Sequence, residues 1–287
     1  MLISTSHPFH GLKAAIATMH GKEKVIGPIL DKWFGIDLNI AEGVNTDALG
    51  TFTGEIPRSG SMLDAARSKA RIAIEKTGQS IGLGSEGSFG PHPIAFFMPS
   101  SLEIMVLIDG RTNNEIIVQH RYKTNHDSII IKPGQDLRSF LNRIGFPLHA
   151  VVVRPEISMR TECIVKGIVD ANQLEAAILE AAIMSDSGSV IIQSDMRAHL
   201  NPTRMKNIEN LAKRLALRAA RLCPVCITPG FGFIKALRGL PCEICLRPTR
   251  ITLAELHGCS ACGHQVIIRE RSPLMRAEAL WCDACNP

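Results

Sequence analysis

Apolar and polar positions along the chain alternate between a helical period and short unbroken apolar runs, and the two kinds of segment are interleaved from end to end. Residues 13–18 (KAAIAT) read as a buried strand, followed after His20 and Gly21 by a helical pattern over 22–35 that Gly35 ends. A polar stretch over 44–61 leads into a second helix over 62–78, with Ser61 as its N-cap and Gly78 as its stop. Residues 80–93 (SIGLGSEGSFGPHP) predict a short strand running into a loop dense in glycine and proline. EIMVLIDG (103–110) and NEIIVQHRYK (114–123) predict a hairpin, DLRSFLNRIG (136–145) a helix and HAVVVRPE (149–156) a strand. The alternation continues with strands over 163–169 and 189–199, a helix over 171–185 and a long amphipathic helix over 201–222. The class is α/β.

Composition narrows the picture. With 287 residues, 45% of them apolar, the chain can bury a large core. It shows no apolar run near the roughly 18 residues of a membrane span and no signal-like start, so a soluble, cytoplasmic protein with no membrane partner is expected. The net charge of +5 is spread thinly, without a Lys/Arg block, so nucleic acid is a possible partner but not the favoured one. Three segments follow: an α/β domain over 1–150, a continuation or second lobe over 151–222, and a cysteine-rich module over 223–287.

The module carries eight of the nine cysteines, as the pairs Cys223/Cys226, Cys242/Cys245, Cys259/Cys262 and Cys282/Cys285, separated by 15, 13 and 19 residues. Such spacing belongs to structural zinc, and four CxxC pairs supply two tetrahedral sites in a zinc-ribbon-like module. The spacing leaves sequential, interleaved and nested pairings open, and leaves His257 or His264 as possible substitutes for a cysteine. Cys163, standing alone, reads as a small core residue.

Three further stretches carry a resemblance: ATMHGKEK (17–24), GEIPRSGSMLDAARSKARIA (54–73) with Ala66 to Ala70 as Ala-x-x-Lys-Ala, and IGLGSEGSF (81–89). In this order they resemble the inosine/xanthosine triphosphatase superfamily, whose members hydrolyse non-canonical purine nucleoside triphosphates to monophosphate and pyrophosphate. The resemblance covers roughly residues 12–125 and implies a mixed-sheet inosine triphosphatase-like fold, a triphosphate loop at Thr18 to Lys24, and Glu86 as an acidic residue near metal. It also implies dimers, which are common in that superfamily. His20 stands where the superfamily has asparagine, Lys24 is displaced by one position and Ser88 replaces a glycine, so a different substrate is expected. The whole chain, with its NPTRM helix and cysteine tail, resembles a bacterial family without an assigned activity.

The residues also make chemical sense by themselves. Asp47, Glu55 and Glu86 are carboxylates among small residues, suited to a Mg²⁺ or Mn²⁺ ion that takes phosphate oxygens as ligands. Lys22, Lys24, Arg58 and Lys69 can neutralise phosphates, with Thr18, Ser85 and His20 as hydrogen-bonding partners. The same residues also suit plainer roles, Glu55 with Arg58 as a surface ion pair and Lys69 on a solvated helix face. On the strand expected over 189–199, Asp195, Arg197 and His199 share a face, and with Arg204 and the start of the Asn201-capped helix they form a second candidate anion site. The expected function is a metal-dependent phosphohydrolase of pyrophosphatase type acting on a nucleotide or related phosphorylated compound. The competing expectation is a catalytically inactive nucleotide- or nucleic-acid-binding protein.

Overall fold

The computed structural model describes residues 6–46, 60–157, 163–269 and 275–287. They form a mixed α/β structure with three sheets. In the first sheet β1 (Lys13–Ile16) lies between β2 (Asp37–Ile40) and β3 (Ile81–Pro91) and runs parallel to both. The hairpin of β4 (Pro99–Asp109) and β5 (Asn114–Lys123) continues it antiparallel, giving the order β2-β1-β3-β4-β5. A strand covered on both faces needs no polar alternation, and Ala14, Ala15 and Ile16 are all fully buried.

From β1 the chain crosses to β2 through α1 (Glu23–Phe34), and from β2 back to β3 through α2 (Met62–Thr77). The two crossovers run in opposite directions, so right-handed connections place the helices on opposite faces. Ile26, Leu30 and Phe34 of α1 pack with Ile208, Leu211 and Leu215 of α5 (Pro202–Ala219) against Leu83, Met105 and Leu107. On the other face Ala66 and Ala70 of α2 meet Ile104, Val106 and Ile108. Ser61 and Asp64 form a capping box at the start of α2, and Gly78 at φ 66° closes it, as expected.

The loop expected after a short strand near residue 80 is instead part of an 11-residue strand, paired with β4 from Ile81 through Pro91. Its glycines answer to close approach, not to turning. A Cβ at Gly82 or Gly84 would collide with the carbonyl oxygens of Ala70 and Ala66, so the small residues let α2 lie directly on β3.

The second sheet has the order β6-β9-β7-β8, antiparallel throughout, from β6 (Ser128–Ile131), β7 (Val151–Pro155), β8 (Val165–Ile168) and β9 (Val190–Ser194). With α3 (Arg138–Ile144) and α4 (Ala171–Ile183) it encloses its own core around Phe140, Val153, Ile178 and Ile192. This sheet gathers residues 128–194, and α5 returns the chain to the first. The strand expected over 189–199 stops at Ser194, so Asp195, Arg197 and His199 do not share a strand face. The Asp195 carboxylate accepts from the backbone N–H of Arg197 (2.9 Å) and of Gly167 (3.1 Å), drawing the chain out of the ladder into a 3-10 turn at Ala198–Leu200.

The third sheet is an antiparallel meander of β10 (Gly232–Arg238), β11 (Thr252–Gly258) and β12 (Gln265–Ile268). Cys163 is half-buried, not a core residue. No helix among the described residues is long and apolar enough to cross a membrane.

Candidate functional site

In an α/β sheet a ligand crevice opens beyond the carboxyl ends of the strands where the strand order reverses. Here that point lies between β1 and β3, and the loop leaving β1 carries Thr18, His20, Lys22 and, in the first turn of α1, Lys24. β3 and β4 run past the end of β1 and line the crevice.

Lys22 is buried and its ammonium donates to the carbonyl of Ser85 (3.0 Å). Lys69, from α2, is ion-paired with Glu86 on the α2 face of β3. On the α5 face, Glu103 of β4 is fully buried and accepts from Arg204 Nε (3.0 Å), while another guanidinium nitrogen of Arg204 donates to the carbonyl of Met196. Gly87 makes room for this pair, since a Cβ there would lie 2.6 Å from Arg204 and 2.8 Å from Glu103. The guanidinium also stacks over Phe89 at 4.8 Å. Asn201 fixes its approach by capping α5, its side chain accepting from the Arg204 N–H (2.9 Å).

The cluster holds three cations and two carboxylates out of water, a surplus of positive charge that burial opposes. Burial, then Arg204 and Lys69, push the pKa of Lys22 down to about 7. His20 is driven to about 3, by burial first and then by Lys22, His199, Arg204 and Arg197, so it is neutral at ordinary pH. Its ring stacks on His199 at 5.1 Å. On the α5 face of the sheet, Ser85 Oγ, Ser101 Oγ and Glu103 Oε2 are buried without a hydrogen-bond partner among the described residues.

Of the residues expected from sequence, Thr18, His20, Lys22, Lys69, Ser85, Glu86 and Arg204 therefore gather at one place. Lys24 and Arg197 flank His199 and contribute to lowering its pKa, after burial. Asp195 is fully buried and holds Arg197 in an ion pair (2.6 Å) that ties β8 to the turn before α5. The helix start offers fewer free N–H groups than expected for an anion site there: Thr203 N–H donates to His149 (3.3 Å) and Arg204 N–H to Asn201. Asp47, Glu55 and Arg58 lie outside the described residues. Glu103 and Ser101 were missed; the signal available was a glutamate at an inward-facing position of an otherwise apolar strand.

The carboxylates described do not suit a Mg²⁺ or Mn²⁺ ion, because Glu86 is engaged by Lys69 and Glu103 by Arg204. Among the described residues the groups able to hold a metal are two, both of cysteine: Cys223, Cys226, Cys259 and Cys262, and Cys242, Cys245, Cys282 and Cys285. The pairing is interleaved. Closest sulfur separations across pairs run from 3.5 Å (Cys245 to Cys282) to 3.9 Å (Cys242 to Cys285), close to the ~3.8 Å edge of a tetrahedron with Zn–S bonds of ~2.3 Å. Ile227, Leu246 and Gly263, each following the second cysteine of its pair, adopt φ of 61°, 63° and 72°. A left-handed β-branched isoleucine is strained and persists where its surroundings hold it. In these knuckles Val225 and Ile244 N–H groups donate to Cys223 and Cys242 sulfurs at 3.4 Å, as suits thiolate ligands. His257 pairs with Glu255 (2.6 Å) and His264 stacks on Phe231, so neither replaces a cysteine.

The first cysteine group is seated on the β4–β5 hairpin: Ser260 Oγ donates to Asn114 (2.6 Å), and Asn114 donates to the carbonyl of Pro229 (3.2 Å). No curated protein and no solved structure matches the chain. The family described as a domain of unknown function, DUF6671, matches residues 69–287, a span that holds Lys69, Glu86, Glu103, Arg204 and all eight paired cysteines but leaves the Thr18 to Lys24 loop outside. The chain thus belongs to the DUF6671 family.

Proposed function

We propose that the crevice beyond β1 binds the phosphate groups of a nucleotide or related phosphorylated compound and hydrolyses it in the manner of a pyrophosphatase. The observation that carries the binding half is the buried surplus of cations at Lys22, Lys69 and Arg204 beside three partnerless polar atoms. A phosphate oxyanion supplies the missing charge and accepts from the ammonium and guanidinium groups. The stretches that resemble the inosine/xanthosine triphosphatase superfamily, at Thr18 to Lys24, Lys69 and Ser85 to Glu86, converge on this spot, which supports hydrolysis and an inosine triphosphatase-like domain. A cleft of about 770 Å³ begins at Gly90, roughly 10 Å along β3 from Gly87, and is lined by Phe96, Phe97 and His126. Phe89 touches both Arg204 and His126, joining cleft and cluster, and aromatic walls there suit the base of a nucleotide.

In this reading Lys22, Lys69 and Arg204 bind and orient the phosphates and stabilise charge on the leaving pyrophosphate. Neutral His20 and His199 offer ring nitrogens for hydrogen bonding. The engagement of both glutamates favours a second reading, in which the site binds the ligand without turning it over. Release of phosphate and pyrophosphate from nucleoside triphosphates, inosine and xanthosine forms included, is measured with Mg²⁺ or Mn²⁺ alongside thermal stabilisation of zinc-replete protein. Turnover lost in Lys22→Met supports hydrolysis, and stabilisation without turnover supports the binder. A ligand response that Lys22→Met leaves unchanged overturns both.

A further inference from the structure

The cysteine module shows no basic stripe in its own sequence, but the fold builds one beside it. Arg214, Arg218 and Arg221 recur at intervals of four and three along and just past α5, so they share one helix face, with ~6 Å and ~4.5 Å between them along the axis. Arg214 and Arg221 are exposed and Arg218 is half-buried. No described carboxylate lies within 4 Å of any of the three; Arg218 donates to the carbonyl of Gly230 (3.2 Å), and Arg214 lies beside the neutral hydroxyl of Tyr122. The other cations of the helix surface differ in this respect, since Lys206 and Lys213 both pair with Glu209.

All three arginines line a groove of about 960 Å³ that runs between α5, the outer strand β5 and β10 of the cysteine module. Its wall also includes Leu217, half-exposed Phe233 and the ring of His120, and its floor is apolar, with Leu63 of α2, Leu102 of β4 and Val118 of β5. Glu255, the one acid among the described residues of the wall, is already paired with His257. Arg221 is held in place because its carbonyl accepts from Gly230 and Phe231 (3.0 and 3.1 Å), the chain between the first cysteine pair and β10.

We infer that this groove binds single-stranded nucleic acid, the three guanidinium groups following successive phosphates and Phe233 stacking on a base. Cations that track a backbone beside an aromatic face are what unpaired strands need, whereas an acidic peptide has no use for the aromatic wall. Burial, and then Arg221, lower the pKa of Arg218, the mark of a guanidinium that a bound phosphate would relieve. This site is separate from the crevice beyond β1 and does not depend on the reading given for it.

Fluorescence anisotropy of a labelled oligouridylate of about 12 nucleotides, within the range single domains occupy, tests the inference with full-length zinc-replete protein. Binding is expected with a slope of log K against log salt of about −2, from three phosphates at about −0.7 each. Arg214→Glu, which reverses the charge of an exposed guanidinium, weakens binding at least about tenfold while leaving the thermal midpoint within a few degrees. Arg214→Ala with Arg221→Ala brings the slope to about −0.7. Phe233→Ala weakens binding by about tenfold and leaves the slope unchanged. Lys206→Ala with Lys213→Ala leaves both unchanged. No binding, binding indifferent to Arg214→Glu, or displacement by polyglutamate as effectively as by unlabelled oligonucleotide overturns it.

Discussion

The cysteine module and the crevice beyond β1 both concentrate groups that water would otherwise solvate, but they are assembled over very different distances. Each half of a cysteine group is a four-residue knuckle with its own hydrogen bonds, finished in three of the four by a left-handed residue, and only the joining of two knuckles is long-range. The crevice takes Lys22 from a loop, Lys69 from a helix, Glu86 and Glu103 from neighbouring strands, and Arg204 from a helix more than a hundred residues away. The first kind of site is written in local spacing; the second exists only once the sheet is built.

The largest effect is expected at the metal, where apparent zinc-peptide energies of ~10 kcal/mol or more set the scale. Cys226→Ser with Cys259→Ser should leave one zinc per chain by elemental analysis, because both belong to one group. A count of zero would mean the pairs are sequential or nested, not interleaved. The next largest effect is expected at Glu103→Ala, which leaves the Arg204 guanidinium buried without its partner and should cost about 3–5 kcal/mol in denaturant unfolding; a loss below about 1 kcal/mol would place Arg204 in water instead.

Lys22 gives a pH signature. Its folded pKa, about 7, lies below the ordinary lysine value, so between about pH 7 and 10.5 the unfolded chain binds more protons. Stability from this group therefore rises with pH across that window, and it is below pH 7 that the full penalty of charging it is felt. Lys22→Met should flatten that rise in urea melts taken from pH 7 to 10; an undiminished rise would assign it to another group. The smallest effect is purely local: Ser61→Ala removes one half of the capping box on α2 and should lower stability by about 1 kcal/mol, with no change in zinc content.

The same contrast decides what could be read from the chain. The capping serine, the stop at Gly78 and the asparagine before Pro202 were legible because each acts on residues three or four away. The four cysteine pairs were legible for the same reason, while their interleaving was not. The stretch over 80–93 was misread because glycine signals a turn locally, whereas here Gly82 and Gly84 serve a helix that packs from outside the stretch. The strand expected to run to residue 199 failed similarly: Asp195 is diverted by Gly167, which sequence does not place nearby. Glu103 sat unnoticed in an apolar strand because its partner Arg204 belongs to a distant helix.

Helix α5 carries Arg204 in its first turn and leads, three residues after its last turn closes, into Cys223. It is a rod of about 27 Å clamped at one end by a buried ion pair and at the other by a metal knuckle. Zinc loss releases only the second clamp, so amide hydrogen exchange should quicken as a gradient, fastest near Ala219 and fading toward the Arg204 turn. Metal occupancy then sets how long the far end of this helix stays closed, while the crevice keeps its own clock.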